Sequence, residues 1–309
     1  MVGMVSSVIS ACIEQDYKFE PHYLTLNGFR YHYIDEGEGE PIILLHGNPS
    51  WSFMYRNLIK ELRAEFRVIA PDHIGCGLSD KPDDAAYSYS LQRRSWDLEE
   101  LLDALRISSD ITLVMHDWGG PIGMAYAVRH VNRIIRLVVL NTAAFLWPSG
   151  KPLHWSLRVA RNRPFGALLI RGLNLMVLGA ACLGFRSTLP WDIRRCYAAP
   201  YNSWRNRISV LRFVQDIPLA PADRSYSVLK NIEENLFRFR QTPLLICWGE
   251  KDFIFDANFL HGWIARFPAA EVHRFSQAGH YVLEDGADSI VSVVRDFLHR
   301  HAKGTVLVD

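Results

Sequence analysis

The sequence predicts an α/β fold: a mostly parallel sheet of eight strands, helices on both of its faces, and a helical cap inserted late in the chain. Three observations carry this expectation. Short β-rich runs bounded by turn residues recur along the chain, and amphipathic helical stretches separate the later ones. The alternation then lapses from about Phe145 to Phe239, before a clean strand returns. Strands that alternate with helices form parallel sheets covered on both faces, because each crossover helix lies back against the sheet it bridges.

The elements follow in order. Residues 1–16 are read as a disordered tail, since the apolar stretch Met1–Ile13 has no Lys or Arg before it and is broken by serines. Strands are expected at His22–Leu26, Arg30–Ile34, Ile42–Leu45, Arg67–Pro71, Ile111–Met115, Ile135–Leu140, Leu244–Trp248 and Glu271–Phe275. The first two, joined by Asn27-Gly28, read as an antiparallel hairpin at the sheet edge, because Asn-Gly supplies the positive φ angles of a tight turn. Leu91–Leu105 reads as a helix with Leu98, Leu101, Leu102 and Leu105 on one face. Residues 17–145 and 237–301 then make the core, 146–236 the helical cap, and 302–309 a second tail. Within the cap, Gly172–Phe185 is a 14-residue apolar run, short of the roughly 20 residues that cross a bilayer, so a lid is expected and no transmembrane segment.

Composition excludes several classes. With 309 residues, 49% hydrophobic and 22% charged, the chain has ample material for a core. The net charge of +1 leaves no electrostatic footprint for nucleic acid. The five cysteines (Cys12, Cys76, Cys182, Cys196, Cys247) are odd in number, scattered, and never paired as Cys-x-x-Cys. That spacing argues against a disulfide framework or a structural zinc, and for a reducing, cytoplasmic setting. No cofactor is expected.

Chemistry gathers where predicted strands end, the usual ligand position in open α/β sheets. One strand runs into His46-Gly47-Asn48-Pro49, another into His116-Asp117-Trp118-Gly119-Gly120, a third into Glu250-Lys251-Asp252, and Ala278-Gly279-His280-Tyr281 follows the last. The His116–Gly120 turn has the pattern of a nucleophile elbow in which Asp117 stands where a serine is usual and Met115 replaces the first glycine. A carboxylate there attacks an electrophilic carbon to give an ester, which water then cleaves. Asp117, Asp252 and His280 have the chain order nucleophile, acid, histidine of the α/β-hydrolase fold. His280 would activate the water and Asp252 would hold its tautomer, with Glu250 a rival for the acid.

With these motifs in place, the chain resembles the haloalkane dehalogenases, from about Tyr17 to His301. The matching segments are HGNPSWSFMYR (His46–Arg56), PDHIGCGLSDKP (Pro71–Pro82), HDWGGPIG (His116–Gly123), WGEKD (Trp248–Asp252) and GHYVLED (Gly279–Asp285). The resemblance implies that the side chains of Asn48 and Trp118 donate to a leaving halide, and that their backbone N–H groups form an oxyanion hole. Asn141 follows the strand LVVL and offers no carboxylate, so Asn48 with an acid at Asp252 is similar to the third subfamily of that family. The β-lactone decarboxylases of bacterial long-chain olefin biosynthesis share the combination. The cap phrases APYNSWRNR (Ala199–Arg207) and RFVQDIPLAPAD (Arg212–Asp223) look more like that branch.

The implied activity is hydrolytic carbon–halogen cleavage through an alkyl ester of Asp117, with β-lactone decarboxylation as the alternative. An epoxide hydrolase, with Tyr197, Tyr201 or Tyr226 as ring-protonating donors, and a catalytically silent binding protein stand behind these. The nearly all-apolar stretch Ala167–Phe185, interrupted by Arg171 and Asn174, suggests a tunnel wall and a hydrophobic small-molecule substrate, or a face for another subunit, a pathway enzyme or a lipid-like surface. Ser50, Trp51, Phe53 and Phe145 are expected to contribute pocket surface.

Overall fold

The computed structural model describes residue 12 and residues 16–302. Eight strands form one sheet: β1 (His22–Leu26), β2 (Phe29–Glu36), β3 (Pro41–Leu45), β4 (Arg67–Pro71), β5 (Ile111–Asp117), β6 (Ile134–Thr142), β7 (Leu244–Gly249) and β8 (Glu271–Phe275). Their spatial order is β1-β2-β4-β3-β5-β6-β7-β8. β1 pairs with β2, and β2 with β4, antiparallel; every other pairing is parallel. Asn27 and Gly28, at φ 51 and 85, turn the edge hairpin as the sequence implied.

The central strands Ile42–Leu45, Leu113–Met115 and Leu137–Leu140 are wholly buried, which is why they read as continuous apolar runs instead of alternating ones. β5 and β6 run two residues further than the apolar runs alone suggested. Those extra residues include Asp117, Asn141 and Thr142, polar groups at the carboxyl edge of the sheet. The core helices α1 (Arg56–Leu62), α2 (Leu91–Ala104) and α3 (Gly119–Ala127) precede the insertion. The side chain of Ser90 caps α2 by accepting from the Arg93 N–H at 3.2 Å.

Between β6 and β7 lie only helices: α4 (Trp155–Arg161), α5 (Leu175–Leu183), α6 (Trp191–Ala198), α7 (Ile208–Gln215) and α8 (Tyr226–Asn235), with short turns between them. The apolar run is not one helix. A π-helical turn over Ala167–Gly172 ends before Asn174, whose left-handed φ of 57 redirects the chain into α5. After β7 come α9 (Ala257–Arg266) and α10 (Ala287–Arg300).

The cysteine expectation needs correcting. Cys12 and Cys196 form a disulfide across 184 residues, which fastens the start of the described chain to α6. Cys76, Cys182 and Cys247 are free. Count and spacing could not reveal this pair because only the folded cap brings Cys196 beside Cys12. Of the expected tail, Cys12 is buried and followed by the buried Tyr17, while residues 1–11, 13–15 and 303–309 lie outside the described residues.

Two of the matching segments meet through a buried ion pair. Arg56 at the start of α1 bonds Glu284, with Nη2 to Oε2 at 2.8 Å, and Tyr197 of α6 donates its hydroxyl to the same carboxylate. In PDHIGCGLSDKP, Asp72 accepts from the Ser52 and Leu78 N–H groups, each at 2.8 Å, and meets His32 Nδ1 at 2.8 Å. Burial works against its charge, but these contacts hold it well below the usual carboxylate range.

Candidate active site

Asp117 is the last residue of β5 and sits at φ 50, in the left-handed region that side chains other than Gly, Asn and Asp rarely adopt. This turn throws its side chain over the sheet edge as α3 begins. Close approach explains two glycines around it: a Cβ on Gly47 would collide with the Asp117 carboxylate, and one on Gly119 with the carbonyl of Leu45. Thr142 donates its hydroxyl to the Asp117 carbonyl and so fixes the elbow from the neighbouring strand.

The backbone N–H of Asn48 donates to Asp117 Oδ1 at 2.6 Å, and the N–H of Trp118 also bonds this carboxylate. Oδ2 remains, 3.8 Å from His280 Nε2. On the far side of the ring, His280 Nδ1 meets Asp252 Oδ2 at 2.8 Å. Asp252 Oδ1 accepts from the N–H groups of Ile254 and Phe255, at 2.8 and 3.1 Å. Phe255 also lies nearly parallel to the imidazole, with centroids 5.9 Å apart. Glu250 is turned away: it is exposed and stands 3.7 Å from Arg274.

Asp117, His280 and Asp252 therefore form one row of charges in a buried setting. Burial raises the pKa of Asp117, against the opposing pull of His280 and the two backbone N–H groups. Burial by itself would lower that of His280, but the carboxylates of Asp252 and Asp117 outweigh it and push the imidazole up to about 9. Asp252 is lowered despite burial, by His280 and its backbone donors.

Two residues with no role assigned from the sequence complete the frame. Asn141 donates from Nδ2 to Asp252 Oδ2 at 3.0 Å and to the Gly249 carbonyl at 3.0 Å, and its Oδ1 accepts from the Gly249 N–H at 2.7 Å. His116 Nε2 lies 2.8 Å from the carbonyl of His280, and burial together with His280 pushes its pKa down to about 3, so it is a neutral donor to that carbonyl. The signal for both was position, each being the first residue after a predicted apolar strand.

The row opens into a cavity of about 540 Å³ between sheet and cap. Asp117, Asn48, Trp118 and His280 sit at its polar end, and its walls are aromatic and aliphatic, including Phe145, Trp147, Ile170, Met176 and Val214. The Asn48 amide spends one hydrogen on the Val210 carbonyl at 3.2 Å and has Met176 Sδ at 3.9 Å. Phe145 lines the cavity as expected. Ser50, Trp51 and Phe53 are core residues outside this lining instead: Trp51 donates to the Cys196 carbonyl at 3.1 Å, and Phe53 stacks on Trp51 and meets Tyr197 edge-on. The three tyrosines considered for an epoxide reaction are also elsewhere, although Tyr281 does line the cavity. Tyr197 is bonded to Glu284 and Tyr201 to the Ser50 carbonyl at 2.7 Å, and neither they nor Tyr226 reach the lining.

A sheet of this order, with Asp117 on the turn at the end of β5 and His280 and Asp252 beside it at the carboxyl edge, has the layout of an enzyme class. The family model described as alpha/beta hydrolase fold matches residues 40–287, and the chain belongs to that family. Within it, the chain is 52% identical over 281 residues to a cis-3-alkyl-4-alkyloxetan-2-one decarboxylase of Shewanella oneidensis, covering 91% of this chain and 88% of the relative. It is 34% identical to a haloalkane dehalogenase of Mycolicibacterium paratuberculosis, covering 88% and 90%. Among solved structures, a haloalkane dehalogenase from Agrobacterium tumefaciens C58 superimposes with a TM-score of 0.82 at 22% identity, over 92% of this chain and 97% of that one. The chain is thus an enzyme of the α/β-hydrolase fold, on the branch that holds haloalkane dehalogenases and these decarboxylases.

Proposed function

We propose that the protein removes carbon dioxide from cis-3,4-dialkyl oxetan-2-ones, four-membered β-lactones, to give alkenes. The observation that carries this reading is the 52% identity to the Shewanella oneidensis decarboxylase along nearly the whole of both chains. The apolar cavity agrees with it, since two alkyl chains need walls without polar demands.

The geometry favours attack at a saturated carbon. Both backbone donors of the would-be oxyanion hole are engaged with Asp117 itself, so they are placed to stabilise charge on the Asp117 carboxyl and not on a substrate carbonyl. Asp117 Oδ2 attacks C4 of the lactone, the bond from C4 to the ring oxygen breaks, and that oxygen leaves as a carboxylate still tethered at C3. Trp118 and Asn48, at the polar end of the cavity, face that new anion. The bond between C3 and the carboxylate carbon then supplies the electron pair of the C3–C4 double bond, carbon dioxide departs, and Asp117 is expelled unchanged. Atoms and charge balance without water. Inversion at C4 followed by departure from the opposite side returns a cis alkene. The imidazolium of His280, kept charged by Asp252, stabilises Asp117 as the leaving group.

A haloalkane reaches the same Asp117 ester but has no carboxylate to lose, so water activated by His280 must cleave it. This dehalogenase reading rests on the same residues and on the 34% relative. Turnover of a cis-3,4-dialkyl oxetan-2-one and of a long-chain 1-haloalkane, measured side by side, separates the two. Alkene from the lactone with little halide from the haloalkane is the expected result, and halide release without any alkene would overturn the assignment.

A further inference from the structure

We propose that the cap is a docking face for an anionic lipid surface, with the mouth of the cavity pressed against it. Charge is the first support. Between residues 146 and 236 there are thirteen Lys and Arg against five Asp and Glu, a net of +8, whereas the chain as a whole carries +1. The remainder is therefore net acidic by seven charges. Such a division orients a molecule with its cap toward a negative surface.

Exposure is the second. Trp155 (72% exposed), Val159, Leu175, Leu183 (73% exposed) and Phe253 are large apolar side chains open to solvent, and all five also line the cavity. The mouth thus has a greasy rim. Beyond the rim the same character continues over Phe165, Leu168 and Leu173, and over Leu178, which shares one face of α5 with Leu175 and Cys182. Exposed arginines border this surface: Arg158 lies on α4 between Trp155 and Val159, and Arg186 follows Leu183 by three residues. Arg171 lies over the half-exposed Trp204 ring at 4.6 Å, an arrangement of cation and aromatic suited to a membrane interface.

No single helix among the described residues is long and apolar enough to cross a membrane. The pair Pro164–Gly172 and Leu175–Leu183 passes the length and composition test only when joined, and it is bent by 58°. A bent apolar pair bordered by arginines is built to lie in the interface plane, with its outer residues among the acyl chains and its basic side chains at the headgroups. In that pose an oily substrate passes from the lipid phase into the cavity without crossing water. Docking of this kind rests only on charge, exposure and the cavity mouth, so it stands apart from the reaction assigned above.

The test is vesicle flotation of the full chain. Liposomes of phosphatidylcholine alone are compared with equal parts of phosphatidylcholine and phosphatidylglycerol, at low and at high salt. The protein should float with the anionic vesicles, much less with the neutral ones, and should be released by salt. The double variant Leu168→Asp/Leu178→Asp, at two exposed positions outside the cavity lining, should keep its melting temperature and lose on the order of tenfold or more in partition. Arg158→Glu gives an independent reading and should weaken binding to anionic vesicles alone. Absence of flotation at low salt overturns the proposal, as does undiminished binding by the double variant. An oligomer seen by light scattering that the double variant dissociates, without vesicle binding by the wild type, overturns it too and makes the face a subunit contact.

Discussion

Asn141 and His280 converge on one atom: the Asn141 amide donates to Asp252 Oδ2 at 3.0 Å, and His280 Nδ1 meets the same oxygen at 2.8 Å. The end of β6 and the loop after β7 thus bring Asn141 and Asp252 together beside one imidazole, and only Asp252, the carboxylate, meets the ring. Asn141 also adopts φ 38, a conformation that Asp tolerates nearly as well as Asn.

This adjacency gives a sharp expectation. Asp252→Asn should lower turnover by about 10²-fold or more, since the imidazolium loses its charged partner. Adding Asn141→Asp to that variant should recover part of the loss, because a carboxylate is returned to the same corner. Glu250→Gln, at an exposed position beside Arg274, should behave like wild type. Loss of activity in Glu250→Gln with a normal rate in Asp252→Asn would sink the acid assignment.

Water labelled with ¹⁸O distinguishes the two fates of the Asp117 ester. Haloalkane hydrolysis sends water to the Asp117 carboxyl carbon, so the peptide carrying Asp117 gains label. Lactone turnover by elimination regenerates the original carboxylate, and the same peptide should stay unlabelled after many cycles. Label appearing with the lactone would replace elimination by a hydrolytic route.

The His280 pKa predicts how pH acts. Its folded value of about 9 lies above the unfolded value near 6.5. The stability it contributes is therefore complete below about pH 6.5 and is lost as pH rises through 9. The melting temperature of wild type should fall across that window, and His280→Gln should show a shallower fall. Lactone turnover should decline on the alkaline side near pH 9, as the imidazolium disappears, and its acid limb should lie above the ordinary Asp range because burial raises Asp117. Equal alkaline slopes in wild type and His280→Gln would refute the linkage.

The buried pair of Arg56 and Glu284 should be costly to break from one side. Arg56→Met leaves the Glu284 carboxylate buried with only Tyr197, and a loss of about 3–5 kcal/mol is expected by denaturant titration. Arg56→Met/Glu284→Leu should recover much of it, since no unpaired charge then remains. A single variant as stable as wild type would count against the pair.

How much of this was legible before folding follows from how local each signal is. The eight strands and α2 were readable because apolar runs, an Asn-Gly turn and a serine cap are written in neighbouring residues. The residues Asp117, Asp252 and His280 were readable because each sits at a strand end, and strand ends in a parallel sheet share one edge. The disulfide of Cys12 with Cys196, the support of Asp252 by Asn141, and the placing of Trp51 and Phe53 in the core instead of the cavity were not. Each joins or separates groups far apart in the chain, and only the path of the cap decides which of them meet. Local pattern and strand order were enough for the sheet, the elbow turn and the gathering of Asp117, Asp252 and His280 at one edge. Which carboxylate faces the imidazole, which cysteines pair and where the cavity opens came only with folding in three dimensions, because those depend on distances that no spacing along the chain contains.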